Sequence, residues 1–156
     1  HLERSGVRPD LLILEITENA LMADPELATS NLRRLHQQGV RLAVDDFGTG
    51  YSSLTYLEQF PIDFLKIDGS FVNNMLVRPE SSMVEAIVQL SRTLGVVPIA
   101  KGVESEAQTA ALLEFGCDLA QGYFLARPLG ADALHELLLE SRELPALSDA
   151  GTQGRA

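Results

Sequence analysis

The stretch Val40-Arg41-Leu42-Ala43-Val44-Asp45-Asp46-Phe47-Gly48-Thr49-Gly50 decides how this chain folds. Val40 to Val44 is a short apolar run, which reads as a buried parallel strand. It closes on two aspartates and enters a glycine-rich loop, so acidic groups stand at its C-terminal tip. The same arrangement recurs on both sides. Leu11 to Ile16 closes with Glu15 and Glu18, and Phe64 to Ile67 with Lys66 and Asp68. Val96 to Ala100 closes with Lys101 and Glu104, and Leu119-Ala120 with Gln121. A polar group at one strand tip means little. At every strand it implies one shared mouth, and parallel β/α folds place their ligand sites there.

Helix signals separate these runs. Asp24-Pro25 is an N-cap followed by proline at the first helical position, and Gly39 ends the stripe Leu27, Leu32, Leu35. A short helix is expected to end near Phe60. A longer one spans about Glu80 to Leu94, with Met83, Ile87, Leu90 and Leu94 on one face and Gly95 after it. Ser105 and Gln108 form a capping box for a helix reaching Phe115, and Ala131 to Leu139 reads as an amphipathic closing helix. From about Ser141 the residues turn small and polar, the composition of a disordered tail. Five β-α units in sequence mean a parallel α/β sheet, doubly wound or barrel. A full (β/α)8 barrel needs roughly 250 residues, so a barrel would here lack about three N-terminal units.

The 156 residues fit one domain, and 46% hydrophobic against 22% charged residues supports a sizeable core. A net charge of −10 argues against DNA as a partner, which calls for clustered Lys and Arg. It leaves room for a nucleotide held through metal ions. The single Cys117 excludes an internal disulfide and reads as a small buried apolar residue. No apolar stretch reaches the ~20 residues of a membrane span, and no signal peptide is evident. A chain that begins with His1 reads as a piece of a longer polypeptide.

Each strand tip has a chemical and a structural reading. Glu15 and Glu18 suit a hard divalent cation, while Glu18 alternatively serves a helix dipole. Alternation would bury Glu15 within its strand, where an unpaired carboxylate is costly. Asp45 and Asp46 repel unless a cation lies beside them, and two metals about 3.5–4 Å apart activate water against phosphodiesters. The alternative is an Asx-turn. Gly48, Thr49 and Gly50 let backbone approach a ligand. Lys66 and Asp68 share a face by alternation, so Lys66 either neutralises a phosphate oxygen or forms a structural ion pair. Gln121, Tyr123 and Arg127 offer an amide, a stacking ring and a phosphate contact. His1, His36 and His135 form no cluster.

Together these strings resemble the EAL family of cyclic di-GMP phosphodiesterases. Asp45 to Leu54 resembles that family's central motif, Glu15-Ile16-Thr17-Glu18 its upstream carboxylate motif, and Lys66-Ile67-Asp68 its lysine motif. Gly116-Cys117-Asp118, Gln121-Gly122-Tyr123-Phe124 and Ala126-Arg127-Pro128 resemble its C-terminal signature. The resemblance runs from about Arg8 to Pro128. It implies a TIM-like (β/α)8 barrel of EAL type, here incomplete, with a partial domain over residues 1–140 and a disordered tail over 141–156. It implies hydrolysis of cyclic di-GMP to linear pGpG by water activated on two Mg2+ or Mn2+ ions. By carry-over, Glu15, Asp45 and Asp46 are metal ligands, and Lys66, Lys101 and Gln121 occupy catalytic positions. Asp68, Tyr123 and Arg127 contact substrate. Glu104 holds the loop after Asp46 (Gly48, Thr49, Gly50), with Glu18 in support. A homodimer through that loop, an upstream regulatory domain and a cytoplasmic location, free or membrane-anchored, complete the expectation.

Two departures stand out. The Glu-Ala-Leu tripeptide and the first strands are absent, so open sheet edges and low stability of the isolated piece are expected. Lys101 stands where the family has a glutamate described as metal ligand and general base. A protonated lysine does neither. Exchanging −1 for +1 beside a divalent ion costs several kcal/mol, at about 4 kcal/mol per unit pair 4 Å apart in an effective dielectric of 20. The departure implies impaired catalysis, or a Lys101 that pairs with Asp45 or Asp46 in place of a metal. Three readings follow: a hydrolase, a receptor that binds cyclic di-GMP without cleaving it, and a protein-interaction module.

Overall fold

Strand β2 (Arg41–Phe47) lies second in a five-stranded parallel sheet of order β1-β2-β3-β4-β5. The chain is described by a computed structural model, which covers residues 2–50, 54–77 and 82–139. The other strands are β1 (Ile13–Thr17), β3 (Phe64–Ile67), β4 (Val97–Lys101) and β5 (Leu119–Gln121). The helices are α1 (Leu2–Ser5), α2 (Glu18–Ala23), α3 (Pro25–Gln37), α4 (Leu54–Leu57), α5 (Gly69–Asn74), α6 (Met83–Leu94), α7 (Glu106–Phe115) and α8 (Ala131–Leu139). Sequential parallel neighbours joined by helices are the connectivity of a β/α barrel wall.

The two sheet faces differ. Leu42, Val44, Leu65, Ile67 and Ala100 are fully buried, packing against Leu32, Val72, Val84, Val88 and Leu112 from the helices. On the opposite face Ile13, Val97 and Leu119 are each about two-fifths exposed. Among the described residues helices therefore cover one face and leave the other open, as the inside of an incomplete barrel requires. Glu15 lies on that open face of edge strand β1 and is half exposed, contrary to the expectation that alternation buries it.

Capping follows the local chemistry. Asp24 accepts from the Leu27 N–H, and Pro25 opens α3. Ser105 and Gln108 form the expected reciprocal box. The boundaries shift where turn chemistry outweighs the apolar run. Leu11 belongs to a 3-10 turn (Pro9–Leu11), closed by the Leu12 N–H on the Pro9 carbonyl at 3.0 Å, so β1 begins at Ile13. Ser82 caps α6, which begins at Met83, while Glu80 lies outside the described residues. Helices α2 and α5 add to the helices expected from the sequence; each is a six-residue element opened by a side-chain cap, Thr17 and Asp68. The expected tail from Ser141 lies outside the described residues. Helix α8 forms over the expected residues but buries none of them. Among the described residues no helix is long and apolar enough to cross a membrane.

Candidate active site

Two adjacent strand residues normally point to opposite faces. Asp45 and Asp46 do not. Register between β2 and β3 slips between Val44 and Phe47, and Asp46 adopts φ +53°. A left-handed aspartate inside a bulge re-aims one side chain, so both carboxylates reach a single cation. That cation is Lys101, whose Nζ lies 2.8 Å from Asp45 Oδ1 and 2.6 Å from Asp46 Oδ1. Thr49 closes the turn, its hydroxyl donating to the Asp46 carbonyl at 2.9 Å.

A second ammonium lies deeper. Lys66 is 5% exposed, and its Nζ donates to Glu15 Oε2 at 2.5 Å, with Asp45 Oδ1 at 3.6 Å. The tips of β1, β2, β3 and β4 thus place three carboxylates and two ammoniums in one cluster, leaving a single net negative charge. Burial works against ionisation of Asp45, but the Lys101 hydrogen bond and the Lys66 charge outweigh it and hold its carboxyl below the usual value. Burial likewise opposes the Lys101 charge, and its bonds to Asp45 and Asp46 outweigh that, holding the ammonium above its usual range.

The remaining tip residues are placed as follows. Asp68 caps α5, accepting from the Ser70 N–H at 2.9 Å and the Ser70 hydroxyl at 2.5 Å, and those bonds hold its carboxyl low. Gln121 is exposed at the end of β5, in register with Lys101. Its carbonyl accepts from the Val103 N–H. Tyr123 and Arg127 meet each other, the guanidinium 5.1 Å from the ring centroid.

One expectation is corrected. Among the described residues the carboxylate that holds the loop after Asp46 is Glu18, not Glu104. Glu18 is 2% exposed and accepts from the Gly48 N–H at 2.8 Å and the Gly50 N–H at 3.3 Å. Glu104 is exposed, and it is its N–H, donating to Gln108 Oε1 at 2.7 Å, that is engaged. The reason is positional. Glu18 opens α2 beside the tip of β2, whereas Glu104 follows β4. Gly50 is there for Glu18 as much as for a ligand, since a Cβ on it would sit 2.8 Å from Glu18 Oε1, whereas Gly48 adopts φ +96° and a Cβ there would meet the Phe71 ring at 2.7 Å. Gln108 carries more than its cap. Beyond the capping bond from the Ser105 N–H, it accepts from the Glu104 N–H and donates to Asn73 Oδ1, tying the segment after β4 to α5.

Glu15 and Asp45 offer anionic oxygens, the donor chemistry of a hard divalent cation. The Asp45–Asp46 seat does not fit one as it stands, because an ammonium is already hydrogen-bonded to both carboxylates. Among the described residues no group of three or more His, Cys, Asp or Glu is arranged to hold a metal ion.

Residues 1–128 match the EAL domain family. The chain belongs to that family. The EAL segment is 44% identical over 134 residues to the bifunctional diguanylate cyclase/cyclic di-GMP phosphodiesterase MucR of Pseudomonas aeruginosa, covering 85% of this chain and 20% of MucR. It superposes on the MucR phosphodiesterase in complex with c-di-GMP with a TM-score of 0.82, at 44% identity, over 85% of this chain and 54% of that one. The Klebsiella pneumoniae BlrP1 manganese/c-di-GMP complex gives a TM-score of 0.74 at 33% identity, over 81% of this chain and 33% of that one. The five-stranded parallel sheet is thus part of an EAL barrel, and the chain spans a fifth of MucR's length.

Proposed function

We propose that this chain is the C-terminal part, over residues 1–140, of a cyclic di-GMP phosphodiesterase domain that opens the ring to linear pGpG. The observation that carries this reading is the convergence of Glu15 from β1 and of Asp45 and Asp46 from β2 on two lysines from β3 and β4 in one mouth. Support comes from family membership and from relatives whose own names specify cyclic di-GMP. Mg2+ or Mn2+ is the cofactor of this reading, held by Glu15 and Asp45, and the BlrP1 complex with manganese supports it. When bound, such a cation supplies a Lewis acid and lowers the pKa of its water.

The chain's own residues then have definite tasks. Lys66, nearly buried, orients Glu15 and places fixed positive charge where a phosphodiester gains negative charge. Glu18 fixes the loop after Asp46, and Gln121, Asp68, Tyr123 and Arg127 line the approach for the nucleotide. Lys101 at neutral pH accepts no proton. A general base contributes about 10²- to 10⁴-fold, so Lys101→Glu in the full-length protein raises pGpG formation by about 10²-fold. Equal initial rates, measured by chromatography of the product, would sink this assignment. A homodimer through the loop after Asp46, an upstream regulatory domain and a cytoplasmic site of action belong to the same proposal. Domain-rich relatives such as the bifunctional MucR support the second of these.

A further inference from the structure

The Asp45–Asp46 pair is an acidic cradle that the backbone is bent to make. The register slip in β2 and the left-handed φ of +53° at Asp46 turn two neighbouring carboxylates toward one point. Such a conformation in a non-glycine residue is costly and persists only where its surroundings hold it. What occupies the point is the Lys101 ammonium, 2.8 Å and 2.6 Å from the two Oδ1 atoms, on a side chain that is three-quarters buried. It is delivered by β4, whose register against β3 and β5 fixes its depth.

We propose that Lys101 is the resident cation of this cradle, so that the seat between Asp45 and Asp46 is neutralised covalently and takes no divalent metal. The cluster with Lys101 carries one net negative charge. With a glutamate at position 101 it would hold four carboxylates against Lys66 alone, three negative charges and an open seat. A tethered ammonium also pays no entropy of capture and is not diluted away, so added metal competes at a disadvantage. The inference rests on the mouth being the working site proposed above, but its test does not depend on turnover.

The experiment is a Mn2+ titration of the full-length protein followed by electron paramagnetic resonance, which counts free ions. The wild type, Lys101→Glu, Lys101→Met and Asp46→Asn are compared. Both Lys101 variants are expected to bind one Mn2+ more per chain than the wild type, Lys101→Glu at least tenfold more tightly than Lys101→Met. Asp46→Asn, which keeps the ammonium, is expected to match the wild-type count and shows that a folded variant at the cradle gains nothing. Equal counts and affinities in wild type and Lys101→Glu would overturn the proposal. So would a gain in Lys101→Glu with none in Lys101→Met, since the seat would then be created by the glutamate rather than vacated by the lysine. Failure of the phosphodiesterase reading is registered separately, by absence of pGpG from every variant, and leaves the Mn2+ counts standing.

Discussion

Glu18 shows how much one carboxylate can organise. It is 2% exposed, opens α2, and takes two backbone N–H groups from the loop that leaves β2. An unsatisfied buried donor costs about 1–3 kcal/mol. Glu18→Ala is therefore expected to speed amide exchange at Gly48 and Gly50 by at least tenfold, while exchange in β3 stays unchanged; unaltered protection at the two glycines would contradict the clamp. The ion-pair cluster has its own pH signature. Asp45 is depressed below its ordinary 3.8, so its contribution to stability is present above that value and lost as pH falls through the folded value. Lys101 is raised above 10.5, so its contribution is complete below that value and lost as pH rises through the folded value. The pairing term is thus flat across neutral pH and lost at both extremes. Lys101→Met should remove the alkaline loss, as read from the pH dependence of urea unfolding. Cys117 belongs to the same scale. Its buried thiol, pushed up to about 11 by desolvation, should resist alkylation at neutral pH in the native protein and react only on unfolding.

At the scale of elements, caps and glycines fix where strands hand over to helices. Gln108 is 7% exposed and accepts from both the Glu104 and Ser105 N–H groups while its amide nitrogen reaches Asn73. Gln108→Ala strands two N–H groups and unties α7 from α5. A loss of about 2 kcal/mol in chemical denaturation is expected, and a change under 0.5 kcal/mol would show that water replaces the amide at no cost. Much of this level was legible in the sequence. The Ser105 box, the Asp24-Pro25 start and the five apolar runs are local patterns, and local chemistry decides them. What was not legible is non-local. The bulge that turns Asp46 toward Lys101 depends on how β3 pairs with β2, and no residue in the Val40–Gly50 stretch announces it. The choice of Glu18 over Glu104 as loop clamp depends on which strand tip lies beside β2, and both residues follow strands in the same way. Position 101 stands out only against the family resemblance, which has a glutamate there, and its contact with both carboxylates appears only in three dimensions.

At the scale of the molecule, an open sheet faces two ways. Helices bury the central strands on one face, while Ile13, Val97 and Leu119 stay exposed on the other and α8 presents Leu134, Leu138 and Leu139 outward. Edge strands β1 and β5 have no partner on their outer sides among the described residues. Unpaired edges and uncovered apolar surface promote association. The 156-residue polypeptide alone is expected to run larger than a monomer in size-exclusion chromatography with light scattering, whereas a protein carrying the remaining barrel strands should not form such open aggregates; a stable, monodisperse 17 kDa species would contradict this. That incomplete wall carries a mouth of three carboxylates and two lysines, which we propose takes a cyclic dinucleotide. The most direct test is calorimetric titration of cyclic di-GMP into the full-length protein with Mn2+, with the same sample then resolved for pGpG. Saturable binding is expected, with slow conversion that Lys101→Glu accelerates. No heat of binding and no product in either protein would contradict it.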